Sequence, residues 1–410
     1  MNKTRVFQRS LLAVAVAVTT SQAHAAGFQL NAQSATGIGR AFAGDAVIAD
    51  NASSMARNPA TMALFEKTSL SLGFEAIITD ISVKDVKAAG VVPIDAASYD
   101  DIGGTSIAPN IHLIVPVNDK FAWGINAYSN FGTNTDFSGS SFWDQNGPGA
   151  AFGGETDVLS MNIGLAGSYR LNEQWSFGAG LDVIYGKGTI RRGVPSSPAP
   201  GLNLINVEDA DGWGVGFNVG TVYELNENNR FGLSYRYSPE ITAKDDNGQE
   251  ITLPLPDMAE FSGYHRINDT AFAVHYSVQY IGWGTFDKIE FDNLNQGLLT
   301  GSASSDYNWQ DGWHFAIGGT WYLSDDWTLR TGYMHDTSAQ DKTTSVSVPD
   351  SDRNWLSGGF TYHFNKDSNL DFGITYLIGS DEDVSEGGGL LTATTRADAI
   401  LVGLQYSQSF

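Results

Sequence analysis

The chain reads as an all-β protein, a fourteen-stranded antiparallel transmembrane β-barrel whose lumen is plugged by a small, mostly helical amino-terminal hatch. Three observations predict this. Fourteen short segments alternate apolar and polar residues with a period of two, and the connections between them are alternately short and long. No segment approaches the roughly 20 consecutive apolar residues of a membrane helix.

Residues 1–25 form a secretory signal peptide. Lys3, Arg5 and Arg9 make a basic start, Leu11 to Val18 a short apolar core, and Ala23-His24-Ala25 a small-residue cleavage site. Residues 26–67 follow without strand alternation and without a long apolar helical face. Rich in Ala, Gly, Ser and Asn, they suit a few short helical turns folded into the lumen as a hatch. The barrel then occupies residues 68–410.

Its strands are expected at about 68–82, 109–117, 121–129, 157–170, 175–191, 212–224, 230–241, 257–267, 270–287, 309–323, 327–340, 352–364, 368–380 and 397–409. Leu70, Leu72, Phe74, Ala76 and Ile78 share one face of the first, with Ser69, Ser71, Gly73, Glu75 and Thr79 between them. Trp175 with Tyr185, Trp213 with Tyr223, and Trp327 with Tyr333 place aromatics near run ends, where indole and phenol rings favour the two membrane interfaces. Asn118 to Lys120, Leu171 to Gln174, Leu225 to Asn229, Asn268 with Asp269, Ser324 to Asp326, and Asn365 to Asp367 are the short turns. Short turns belong in the periplasm and long loops outside, so an even strand count returns both chain ends to the periplasm. Val402, Leu404, Tyr406 and Phe410 alternate into a terminal aromatic resembling the signal read by the barrel assembly machinery.

Composition narrows the function classes. The net charge is −23, and removing the three basic residues of the signal peptide, which holds no acid, leaves −26. Such a chain is a poor nucleic-acid partner. Absence of Cys excludes disulfides and thiolate metal sites. A mean hydropathy of −0.17 fits a barrel, because half of each strand faces a polar interior. Outer-membrane lipids and lipopolysaccharide are the expected surroundings.

The segment before the first strand carries specific motifs. Ala26-Gly27-Phe28-Gln29-Leu30-Asn31, Gly37-Ile38-Gly39-Arg40-Ala41, Ala49-Asp50-Asn51-Ala52 and Arg57-Asn58-Pro59-Ala60 resemble the opening of the FadL family of long-chain fatty acid and hydrocarbon transporters. The resemblance continues through Pro109-Asn110-Ile111-His112, Trp123-Gly124, Asn130-Phe131-Gly132, Gly212-Trp213-Gly214, Ser262-Gly263-Tyr264-His265-Arg266, Pro349-Asp350, and Asp352-Arg353 before Trp355. It implies extracellular capture of a hydrophobic ligand, binding in a lumenal pocket, and lateral release through a gap beside a kinked third strand, controlled by the hatch. Such a route suits the cargo, since exposing an alkyl chain to water costs about 0.8 kcal/mol per CH₂.

The same resemblance implies the site residues. Arg192 aligns with the arginine that meets a ligand carboxylate, Ile190 with an apolar pocket neighbour, and Phe28 with a hatch residue touching the ligand. Gln310 replaces a second cation, which leaves open a cargo other than fatty acids. A guanidinium in a partly dry lumen suits bidentate carboxylate binding, whereas an ordinary lumenal arginine paired with acids is the plain alternative. Arg191 points to the opposite face, so a slip of one residue would exchange the two roles. Asn58, Pro59 and Ala60 end the hatch, Pro59 holding Asn58 extended. Asn130, Phe131 and Gly132 follow the apolar run of the third strand, either as a bend or as its end. Phe131, Phe137, Phe142, Trp143 and Phe152 crowd one extracellular loop, as an exposed capture surface or as loop packing.

No cofactor or metal and no catalytic role is expected. His112, His265, His275, His314, His335 and His363 are scattered singly, without metal-ligand spacing or a nucleophile-elbow serine motif. A transporter of fatty acids or other hydrophobic molecules, working as a monomer, is the leading reading. An adhesin or phage receptor without dedicated transport, uptake of aromatic hydrocarbons, or a polar porin are the alternatives.

Overall fold

The structure is a computed structural model that describes residues 29–31, 33–88, 92–93, 97–144, 146–197, 201–341 and 343–410. The signal segment 1–25 and Phe28 lie outside the described residues.

Among the described residues, fourteen strands close a ring: β1 Ser69–Ala88, β2 Thr105–Pro116, β3 Phe121–Asp136, β4 Glu155–Arg170, β5 Trp175–Gly193, β6 Asn203–Asn226, β7 Asn229–Tyr237, β8 Met258–Arg266, β9 Phe272–Ile281, β10 Gly312–Tyr322, β11 Trp327–Asp336, β12 Arg353–Asn365, β13 Ser368–Gly379 and β14 Leu391–Ser409. Every neighbour pair is antiparallel, and β14 returns to β1 in one register from Ser69 opposite Ser409 to Lys84 opposite Thr394, then shifts by one residue to reach Ala88 opposite Leu391. Closure leaves no open edge, which lipid would not tolerate.

The wall is polar inside and apolar outside. Leu72, Phe74, Ile78, Ile125, Leu165, Leu181, Val215 and Ile317 point outward, while Ser71, Glu75, Asn126, Asn162, Asp182 and Asn218 are buried within. Two aromatic belts border the apolar band. Trp175 stacks near Tyr223 at 4.6 Å beside the periplasmic turns, and Tyr185 meets Trp213 at 4.9 Å higher on the same two strands. About ten residues separate Trp175 from Tyr185, roughly 33 Å of strand, and a tilt near 40° makes that roughly 25 Å of height. This is the thickness of an outer-membrane apolar band.

Several ladders overrun the apolar alternation. β1 reaches Ala88 and β6 begins at Asn203, because the hydrogen-bonded ladder continues into solvent where no lipid demands an apolar face. Other segments stop early. β7 ends at Tyr237, two residues before Pro239, which has no N–H for a ladder. β9 ends at Ile281, and the chain breaks into a 3₁₀ turn at Trp283–Thr285. The long loops carry hairpins that alternation does not announce: Glu240–Lys244 pairs with Glu250–Pro254, and Lys288–Leu294 with Gly301–Asp306. Glu382–Glu386 pairs with the upper end of β14.

Residues 33–65 fill the bore. Helix α1, Ala35–Gly39, is capped by Ser34, whose Oγ accepts from the Gly37 N–H at 2.9 Å. Helix α2, Ser54–Arg57, leads into a 3₁₀ turn at Pro59–Leu64. Lumenal side chains satisfy the backbone of this segment: Ser277 Oγ accepts from Gly44 N at 2.8 Å, Ser71 Oγ from Ala52 N at 3.1 Å, and Glu260 and Ser262 from Ala46 N at 3.2 Å. Glycines on the inner wall permit the contact. A Cβ on Gly332 would stand 1.9 Å from the Arg40 carbonyl oxygen, and one on Gly220 would stand 2.0 Å from Asn58 Oδ1.

Candidate functional site

Asn58 holds an extended backbone before Pro59 and ties three places together. Its Oδ1 accepts from Ala60 N at 3.0 Å, and its Nδ2 donates to Ala46 O at 2.7 Å and to Thr221 O on β6 at 3.1 Å. Arg40 bonds Asp45 at 2.9 Å and Asp50 at 2.6 Å, and Asp50 also pairs with Arg330 of β11 at 3.3 Å. Arg57 pairs with Glu260 at 3.4 Å, while Arg236 binds Asp182 and donates to Ala56 O at 2.6 Å. The plug is thus held to the wall by buried, charge-assisted contacts, each costly to break singly.

At the third strand the wall is irregular. Ser129 lies opposite Met161 and Gly132 opposite Leu159, so β3 carries one extra residue at Asn130–Phe131. The β2–β3 ladder extends from Pro116 opposite Ala122 only to Ile111 opposite Ala127. Above that level β3 follows β4 alone and β2 follows β1. The start of the plug sits against this irregularity: Leu30 N donates to Asn130 O at 2.6 Å, and Gln29 bridges Phe131.

Above the plug lies a cavity of about 490 Å³ lined by Ile190 and Arg192 of β5, Phe152 of the β3–β4 loop, Ile289, Phe291 and Tyr307 of the β9–β10 loop, and Glu386 of the β13–β14 loop. Register decides which arginine enters it. Arg191 points outward to Glu155 at 2.9 Å and Glu208 at 3.2 Å, whereas Arg192 is buried. Arg192 donates to the Glu155 and Arg191 carbonyls at 2.7 and 2.8 Å and to Thr156 Oγ1 at 2.8 Å. Burial pushes the Glu386 carboxyl up to about 7, against the opposing pull of the Val346 N–H and Arg192. Burial also raises the Tyr307 phenol, with Arg192 opposing.

One contiguous apolar cluster joins the cavity to the irregular wall. It runs from Ile190, Ile205, Ile289, Phe291 and Tyr307 through Phe286, Trp283 and Ile281 to Phe131. Leu253 and Leu255 of the β7–β8 loop complete it, and a smaller hollow beside Phe131 is lined by them with Ile241 and Ile251.

Two sequence expectations need correction. Gln310 does not join Arg192; it is exposed, bonded to Ser338 O at 3.3 Å and Ala339 O at 2.8 Å, because the chain ahead of β10 runs along the neighbouring loop. The aromatics of the β3–β4 loop are not an exposed patch. Phe137, Phe142 and Trp143 are buried, Trp143 standing 4.9 Å from Phe137 and 4.8 Å from Phe142, with its Nε1 donating to Ala97 O at 2.6 Å. A loop without its own ladder is ordered by packing its side chains, and these pack with Ile81, Val83, Val346 and Val384 into a cap. Only Phe152 of that group reaches the cavity. Sequence reasoning missed Tyr307 and Glu386, since no local pattern shows where a long loop will fold back.

Residues 16–410 match the model of the outer membrane protein transport protein family (OMPP1/FadL/TodX). The chain belongs to this family. A relative named long-chain fatty acid transport protein, from Escherichia coli O6:H1, is 35% identical over 461 aligned residues, covering 100% of both chains. Outer membrane protein P1 of Haemophilus influenzae is 32% identical, covering 98% of this chain and 99% of its own. The FadL-family fold matches the crystal structure of a Pseudomonas aeruginosa FadL homologue at a TM-score of 0.78 and 19% identity, covering 94% of this chain and 100% of that one. As a family member, the protein is an outer-membrane barrel.

Proposed function

We propose that this protein carries long-chain fatty acids and related apolar molecules into the outer membrane as a monomer, with no chemistry of its own. Ligand is caught among the extracellular loops and held in the Arg192 cavity. It then leaves sideways at the β3 irregularity, and the plug acts as the hatch that governs this step. The observation that carries the reading is a buried guanidinium in a cavity with one apolar wall, formed by Ile190, Ile205, Ile289 and Phe291, which is continuous through one apolar cluster with Phe131. Such a site offers an alkyl chain an apolar path and its acid head a charge-assisted hydrogen-bond partner. A volume of about 490 Å³ is within the usual range for small ligands, roughly 300–1,000 Å³. A cargo of neutral hydrocarbon would use the apolar cluster but gain nothing from the cation. The name of the Escherichia coli relative agrees with the acid.

The test is equilibrium binding of a long-chain fatty acid and a matching alkane to Arg192→Ala. Losing a charge-assisted contact should weaken the acid by about 1.5–3 kcal/mol, roughly 10- to 150-fold, and leave the alkane nearly unchanged. Equal loss for both ligands removes Arg192 from the headgroup role.

A further inference from the structure

The cavity holds a carboxyl where a simple acid-binding site would hold a second cation. Among the described residues its titratable lining is Arg192, Asp306, Tyr307 and Glu386, with Arg192 the one cation. Arg192 is turned to two carbonyls and to the hydroxyls of Thr156 and Tyr307, and among the described residues no carboxylate forms an ion pair with it. Glu386 ends the strand Glu382–Glu386 on the opposite wall, anchored by the Val346 N–H to its Oε1 at 2.6 Å. It is close enough for the charge of Arg192 to act on it, both side chains line the cavity, and among the described residues no ion pair joins them. An anionic ligand head placed on Arg192 therefore enters a space that already holds a buried acid. Two carboxylates in so confined a space do not both keep their charge.

We propose that Arg192 and Glu386 form a two-part headgroup site in which Arg192 binds the anionic head and Glu386, carrying a proton, donates a hydrogen bond to it. Each anionic amphiphile then binds together with up to one proton from solvent, the full proton at alkaline pH, and returns it on release; no bond of the ligand is made or broken. The proposal rests on the transport reading and specifies the ligand state that the site accepts. With its carboxyl raised to about 7, Glu386 is partly protonated near neutrality and takes up the remaining fraction when an anion arrives. Ser345 and the Val346 N–H face Glu386 from the β11–β12 loop, Arg192 from β5, and Tyr307, whose phenol feels its charge, from the β9–β10 loop. None of these supplies a second cation. Glu386 thus separates acids from neutral amphiphiles: an alcohol of the same chain length needs no proton to enter.

The experiment is titration calorimetry of the full barrel in detergent, in buffers of different ionisation enthalpy, from about pH 6 to about pH 9. A long-chain alkyl sulfonate is the anionic probe, because its head stays ionised throughout and any proton taken up must go to the protein. The matching alcohol is the neutral probe. Sulfonate binding at the alkaline end should take up about one proton, and its Kd should rise about tenfold per pH unit above about 7. The alcohol should show neither effect. Glu386→Gln should bind sulfonate without proton uptake and with a flat pH profile. The proton count of the unmodified protein is decisive even if the variant misfolds. Sulfonate binding without proton uptake, or uptake that persists in Glu386→Gln, overturns the proposal and leaves the transport reading intact. Failure of both probes to bind at any pH defeats the transport reading and this one with it.

Discussion

Replacing Gly332 by alanine tests whether the plug is held as tightly as its contacts imply. The added Cβ would lie 1.9 Å from Arg40 O and 2.2 Å from Arg40 C, both backbone atoms that no rotamer change can move aside. Reaching the 3.4 Å of ordinary contact requires the plug or β11 to shift by roughly 1.5 Å. β11 is tied on both sides by ladders to β10 and β12, so the plug must yield. A shift of that size disrupts the Arg40 bonds to Asp45 and Asp50 and the Asp50 bridge to Arg330. Overpacking of this kind costs about 1–3 kcal/mol, which raises the undocked fraction about 5- to 150-fold. Single-channel recording in planar bilayers is the assay. The alanine variant should show frequent conductance bursts that the unmodified barrel shows rarely. Gly358→Ala is the control, since the atom nearest its added Cβ, Arg330 O, would be 3.9 Å away. Gly332→Ala with the quiet trace of the control would refute the claim that plug and wall are in rigid contact.

Arg353 is buried between Asp336, at 3.1 Å, and Asp350, at 2.8 Å, and Asp336 also meets His314, whose other ring nitrogen contacts Asn31. Arg353→Met should cost about 3–5 kcal/mol by leaving these carboxylates uncompensated, read as a lower temperature for loss of heat-modifiable gel mobility; an unchanged temperature argues against a buried charge cluster there. Deleting Asn130 removes the extra residue of β3 and lets its ladder with β4 run without a bulge. Fatty-acid uptake should fall to near background while ligand binding in the Arg192 cavity stays within about twofold, since the cavity lies elsewhere; full uptake by the deletion would dismiss the sideways route.

The barrel was legible because lipid imposes a rule that every strand must obey. An outward residue meets hydrocarbon and its neighbour meets a polar bore, so Leu72 against Ser71 and Leu181 against Asp182 write the fold into a period of two. Alternation put Arg191 and Arg192 on opposite faces of β5, the family resemblance chose Arg192, and the register of the folded strand decided which of them is buried. The plug was visible only as an interruption of that rhythm, and its anchoring by Arg40, Asp50 and Arg330 was not. Those partners are separated by as many as 280 positions along the chain, with no periodic signal between them. Above the membrane the lipid rule lapses. There Phe137 and Trp143 turn inward to make a cap, Gln310 turns away from the cavity, and Tyr307 and Glu386 turn into it. Membrane chemistry thus let one dimension of sequence determine the cylinder and its orientation. Which acid faces Arg192 was decided by loop packing, a three-dimensional competition for buried space that local residue order does not encode.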